Sequence, residues 1–150
     1  MVNLCQTNKM ENTPPLKIFL ADDDLFCLKM YELHLEALGY KGIKLYQDGN
    51  NCLDQLAEEP DVIFLDYGID ERNGCAILQK IKQFNPDIYV VFLCDLENRE
   101  DIKTSLKYGA FDFVIKGEND LDEIKMILRR IREIKELLYG NKRNFVRKLF

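Results

Sequence analysis

Residues 61–74, DVIFLDYGIDERNG, constrain this chain more than any other stretch. Val62, Ile63, Phe64 and Leu65 are consecutive apolar residues that stop at a carboxylate, Asp66, and a polar loop then closes on Gly74. Side chains alternate faces along a strand, so a strand apolar at every position must be covered on both faces. That is the condition in a parallel sheet, whose crossover helices lie on either side. Asp66 therefore falls at the carboxyl end of a central strand. Open α/β sheets bind ligands in the crevice beyond those ends, near the point where strand order reverses, which makes Asp66 a candidate functional residue.

The same pattern recurs along the chain. Residues 16–21 (LKIFLA) form a first strand that breaks into Asp22, Asp23 and Asp24, after which Leu28, Tyr31, Leu35 and Leu38 repeat at helical spacing until Gly39. Residues 42–46 form a second strand, followed by an Asp48-Gly49 turn and a brief helix with Cys52, Leu53 and Leu56 inward. Beyond Gly74, a helix with Ile77, Leu78 and Ile81 inward ends at Asn85-Pro86. A fourth strand, 88–93 (IYVVFL), stops at Cys94-Asp95. A charged helix with Leu96, Ile102 and Leu106 on its apolar side closes at Gly109, a favoured residue just past a helix end. The fifth strand, 111–115, runs into Lys116-Gly117, and a last helix carries Ile124, Ile127, Ile131, Ile134 and Leu138 until Gly140. Five strands alternating with five helices give a doubly wound α/β domain with a five-stranded parallel sheet, for which the expected strand order is 2-1-3-4-5.

At 150 residues and 47% hydrophobic composition, one domain with a sizeable core is expected. The expected division is a disordered leader over 1–15, a domain over 16–139, and a basic tail over 140–150 that interleaves Lys142, Arg143, Arg147 and Lys148 with Phe145, Val146, Leu149 and Phe150. A net charge of -5 argues against nucleic acid as a partner. No apolar run reaches the roughly 18 residues that span a bilayer, so no membrane partner is expected. The five cysteines, Cys5, Cys27, Cys52, Cys75 and Cys94, are odd in number and never spaced as CxxC, which reads as reduced thiols of a cytoplasmic protein.

In a parallel sheet the strand ends lie along one edge, so Asp22, Asp23, Asp24, Asp66, Cys94, Asp95 and Lys116 converge. Crowded carboxylates repel one another unless positive charge sits between them. Mg2+ suits such a site because it needs few carboxylates and keeps its waters, and Lys116 adds a fixed cation. A carboxylate relieved in this way can serve as a nucleophile and form an aspartyl phosphate, with the cations neutralising the phosphoryl oxygens; Asp66 is the candidate acceptor. Simpler roles stand beside these. An Asp at a helix start caps it, and Asp24 is the expected cap. His34, the sole histidine, reads as a partly buried surface residue.

FLADDD, FLDYGIDERNG with its glycine eight residues after Asp66, YGAFDFVIKG and the βα alternation together resemble the receiver domain of bacterial two-component response regulators, over about residues 16–139. The resemblance implies the flavodoxin-like receiver fold and phosphorelay signal transduction. Asp66 would take phosphate, with Mg2+, from a sensor histidine kinase or a histidine phosphotransfer protein. Asp23 would ligate the metal, Asp22 would act through a metal-bound water, the backbone carbonyl of Gly68 would complete the protein ligands, and Lys116 would pair with the phosphate. Phe113 matches the aromatic residue that rotates inward on activation, and Cys94 stands at the position whose hydroxyl contacts the phosphoryl group. Output would be contact with a downstream protein, or a homodimer, through the fourth helix, fifth strand and fifth helix; the chain would not be a conventional enzyme.

Four positions depart from the family pattern. Cys94 replaces Ser or Thr with a weaker donor. Asp95 adds negative charge where a small residue is usual, which predicts faster phosphorylation in Asp95→Ala. Gly117 replaces the proline after the lysine, so a trans Lys116-Gly117 bond is expected. Ile69 and Asp70 stand where Met-Pro is common. These departures motivate one alternative, a degenerate receiver acting as a phosphorylation-independent binding module. A second arises from FLADDDLF, which also resembles the start of a haloacid-dehalogenase-type phosphatase with Asp22 and Asp24 as its DxD pair.

Overall fold

A computed structural model describes residues 15–149. The leader expected over 1–15 therefore lies, up to residue 14, outside the described residues. Strands β1 (Ile18–Ala21), β2 (Lys44–Tyr46), β3 (Val62–Asp66), β4 (Tyr89–Cys94) and β5 (Asp112–Ile115) form one sheet in the order β2-β1-β3-β4-β5. Every pairing is parallel, as expected. The helices are α1 (Leu25–Ala37), α2 (Gly49–Asp54), α3 (Gly74–Phe84), α4 (Arg99–Ser105) and α5 (Asp120–Leu149).

The unbroken apolar runs are explained by two cores. Val62 and Phe64 of β3 face α1 and α5, where Leu28, Tyr31, Leu35, Ile124, Leu128 and Ile131 are buried. Ile63 and Leu65 face the other way, against Cys52, Ile77, Leu78, Ile81 and Ile102 of α2, α3 and α4. Neighbouring residues of one strand thus anchor opposite layers, and a polar substitution anywhere in 62–65 would bury an unpaired group on one face or the other.

α1 ends as Gly39 predicts. With φ at 98° Gly39 turns the chain left-handed, its N–H bonds Glu36 O, and Tyr40 N–H bonds Leu35 O, the paired closure of a Schellman motif. At the other end Asp24 accepts hydrogen bonds from the N–H groups of Phe26 and Cys27, as expected of a cap.

Several element-level expectations need correction. α5 does not stop at Gly140 but continues to Leu149. A glycine inside a helix costs only about 1 kcal/mol against alanine, and here Arg147 and Lys148 in the last turn favour the negative end of the helix dipole. Leu138 is exposed rather than inward, because the helix has by then run past the sheet. Lys135 already pairs with Asp61, just before β3, at 2.7 Å. Leu96 is also exposed, because residues 96–98 form a 3-10 turn ahead of α4 and the tighter winding breaks the helical phase that joins Leu96 to Ile102.

The loop after β3 is less polar in structure than in sequence. Ile69 is wholly buried, and the turn Ile69–Arg72 holds Asp70, Glu71 and Arg72 at φ of 50°, 60° and 71°. Such left-handed residues without glycine are costly, at roughly 1 kcal/mol or more each. Asp70 is held there by a bond from the Gly49 N–H to its Oδ2 at 2.8 Å.

Candidate functional site

Register and crossover place the strand ends together. Asp22 follows β1 directly, Asp66 ends β3, Cys94 ends β4 and Lys116 follows β5. Asp22, Asp23 and Asp66 present carboxylate oxygens that lie within 4.8 Å of one another. Asp22 and Asp66 are buried and Asp23 is exposed. The Lys116 ammonium bridges the two buried acids, 2.8 Å from Asp22 Oδ2 and 3.0 Å from Asp66 Oδ1.

Burial pushes the Asp66 carboxyl up to about 6; the hydrogen bond from Lys116 works against this, and the Asp22 charge adds to it. Burial also pulls the Lys116 ammonium down, but its hydrogen bonds to Asp22 and Asp66 outweigh that and hold it above the usual lysine range. The site therefore combines a lysine that stays charged with an acid whose ionisation is discouraged by its surroundings. The hard oxygen donors of the three acids fit a hard divalent cation, which would relieve the repulsion that one ammonium does not cancel.

Asp24 stands apart from this cluster. Its carboxylate is engaged as the α1 cap, through backbone bonds that hold it below the usual range. The DxD reading therefore loses its second acid to helix capping.

Lys116 is held by its backbone as well as by its side chain. Its N–H bonds Cys94 O at 2.8 Å, and the peptide bond to Gly117 is trans, as expected. The Cys94 thiol is buried and donates to Val114 O at 3.4 Å, while burial, then the nearby Asp95 and Asp66 charges, push it up to about 12. It is thus a protonated, weakly donating group turned toward β5. Phe113 is half-buried and packs on the α2, α3 and α4 side of the sheet. The Gly68 carbonyl accepts the Arg72 N–H at 3.0 Å, within the turn that follows Asp66. His34 is half-buried, with Nε2 3.1 Å from Leu121 O.

Two residues near the site escaped the sequence reading. Asp120, the first residue of α5, is 5% exposed, and its Oδ2 accepts bonds from the Tyr31 hydroxyl at 2.8 Å and the Gly117 N–H at 3.2 Å. An acid opening the apolar periodicity of the last helix was a usable signal for Asp120. Tyr31 gave none, because its ring fits the apolar stripe of α1 and its hydroxyl is silent in such a pattern.

Residues 18–129 match the family model described as the response regulator receiver domain. The transcriptional regulatory protein ZraR of Escherichia coli K12 is 30% identical over 116 residues, which make up 77% of this chain and 26% of ZraR. A response regulator receiver domain protein from Clostridium thermocellum has a similar fold, with a TM-score of 0.75 at 23% identity over 82% of this chain and 98% of that one. The BeF3-activated DrrB receiver domain gives a TM-score of 0.70 at 28% identity, over 80% of this chain and 99% of that one. The chain spans between 25% and 51% of the length of the curated relatives it matches. Those relatives are named as transcriptional regulators, so the sequence-based expectation of no nucleic-acid partner finds no support in them. No helix among the described residues is long and apolar enough to cross a membrane.

Proposed function

The chain belongs to the response regulator receiver domain family, and from that premise we propose that Asp66 accepts a phosphoryl group from a phosphohistidine. The donor is a sensor histidine kinase or a histidine phosphotransfer protein, and the phosphorylated chain signals by contact with a downstream protein. The observation that carries the reading is the bridging of Asp22 and Asp66 by Lys116 at the edge where three carboxylates gather.

In the transfer, one Asp66 carboxylate oxygen forms a bond to phosphorus as the P–N bond of the donor breaks, and the electron pair leaves on the donor's imidazole nitrogen. Lys116, already beside Asp66 and firmly protonated, turns its ammonium from the carboxylate to the phosphoryl oxygens as they arrive. Asp22, Asp23, the Asp66 carboxylate and the Gly68 carbonyl would hold Mg2+, with Asp23 as direct ligand and Asp22 acting through a water. When bound, Mg2+ supplies positive charge to the phosphoryl oxygens. Cys94 and Phe113 are assigned the switch, and the face formed by α4, β5 and α5 is assigned to the output partner or a second copy. Domain limits of 16–139 for the receiver and 140–150 for a basic tail belong to the same proposal.

The commitment of the Cys94 thiol to Val114 favours one second reading, a receiver that binds its partner without phosphorylation. Intact mass after incubation with acetyl phosphate and Mg2+ separates the two. One added phosphoryl group, absent in Asp66→Asn and in excess chelator, is the expected result. No gain in the folded native chain, from acetyl phosphate or from a cognate kinase, gives the second reading instead.

A further inference from the structure

We propose that Tyr31 and Asp120 form a latch that positions Lys116, two positioning residues that touch neither the acids nor the phosphoryl group; this rests on the phosphoacceptor reading above. Gly117, directly after Lys116, is held at both of its polar groups by one residue. Its N–H donates to Asp120 Oδ2 at 3.2 Å, and its carbonyl accepts the Asp120 N–H at 3.4 Å. On the other side of Lys116, its own N–H is fixed to Cys94 O at 2.8 Å. The backbone that carries the lysine is therefore pinned on both flanks.

Tyr31 supplies the third attachment. Its hydroxyl donates to the same Asp120 Oδ2 at 2.8 Å, across 89 residues of sequence, and both side chains are buried. Tyr31 belongs to α1, the helix capped by Asp24, and the Asp24 N–H bonds Asp22 Oδ1 at 2.9 Å. The latch thus closes a circuit from Lys116 through Gly117, Asp120, Tyr31 and α1 back to Asp22, the acid that Lys116 itself contacts. The span between ammonium and carboxylates is set by this circuit as well as by their mutual attraction.

Two features give the hydroxyl a role beyond packing. Leu28 and Leu35, its neighbours on the α1 stripe, show that an aliphatic side chain suits the environment, so the ring alone would fill the core. A buried hydroxyl is unfavourable unless it is bonded. Gly117 also matters for its N–H, since a proline there would have no donor to give Asp120.

The test compares Tyr31→Phe, Asp120→Ala and Asp120→Asn with the native chain by three readouts. These are the 15N signal of the Lys116 ammonium, Mg2+-dependent beryllofluoride affinity by calorimetry, and the urea midpoint. Tyr31→Phe keeps the ring, and Asp120→Asn keeps an acceptor oxygen for Gly117. Tyr31→Phe and Asp120→Ala are expected to weaken the Lys116 signal and lower beryllofluoride affinity by about three- to tenfold, with Asp120→Asn restoring both toward native. A residue pair that merely caps α5 would lower the urea midpoint and leave the Lys116 signal and the affinity at native values, and that result overturns the latch. Failure of the native chain to bind beryllofluoride overturns the phosphoacceptor reading alone. The Lys116 signal then decides the latch, which stands if Tyr31→Phe weakens it and falls if it does not.

Discussion

The Lys116 ammonium lies 3.0 Å from Asp66 Oδ1 and has only 19% of its side chain exposed, so the cation paired with Asp66 is also largely withdrawn from water. Lys116→Met leaves Asp22 and Asp66 facing each other with no ammonium between them. Breaking a buried pair on one side costs about 3–5 kcal/mol, and protonation of Asp66 recovers part of that. The expected outcome is a lower urea midpoint in chelator, with a larger stabilisation by Mg2+ than in the native chain. Equal Mg2+ effects in the two proteins would contradict this account of the site.

The raised Asp66 carboxyl gives stability a definite pH dependence. Folding lifts this acid from about 3.8 to about 6, so between those values the folded state binds more protons than the unfolded state. Stability from this group is therefore highest at low pH and falls as pH rises through that window, by about 3 kcal/mol in all. Urea titrations in chelator from pH 4.5 to 7.5 are expected to show about 2 kcal/mol of this loss in the native chain. Asp66→Asn should lack it and be the more stable protein at neutral pH. Saturating Mg2+, by favouring the ionised carboxylates, should remove most of the native slope.

The sheet and the acidic edge were legible because both follow from local pattern. Val62 to Leu65 admits only a doubly covered strand, and once five such strands run parallel, Asp22, Asp66 and Lys116 must meet. Tyr31 and Ile69 were hidden for a different reason. A tyrosine hydroxyl in an apolar stripe and an isoleucine in a polar loop take their roles from a contact 89 residues away or from the loop's path. The end of α5 was misjudged because glycine is a stop signal by propensity alone, and a cost of about 1 kcal/mol decides a boundary only where nothing opposes it.

Gly74 is required by space. A Cβ built on it would stand 2.6 Å from Tyr67 O and 3.0 Å from Tyr67 Cα, backbone atoms of the residue next to Asp66. Gly74→Ala must move either α3 or the Tyr67–Gly68 peptide, at about 1–3 kcal/mol for overpacking. Because the second movement shifts the backbone next to Asp66, the proposed acceptor, the variant is expected to lose phosphorylation rate as well as stability. A variant that melts lower yet accepts phosphate from acetyl phosphate at the native rate would show that α3 alone yields.

Gly140 tests whether the far end of α5 is held by propensity or by contact. A Cβ there would meet nothing within 4 Å, and the flanking Leu138, Tyr139, Phe145 and Leu149 are exposed, so no packing interaction depends on the glycine. Gly140→Ala removes the backbone freedom that favours the frayed state and should strengthen the last turns by about 1 kcal/mol. The expected readouts are slower amide exchange over residues 141–149 and a deeper helical signal at far-ultraviolet wavelengths, with the urea midpoint of the sheet unchanged. If exchange over 141–149 is as slow in the native chain as in Gly140→Ala, a contact beyond propensity holds that end. The exposed apolar residues of the last turns are then where that contact must lie.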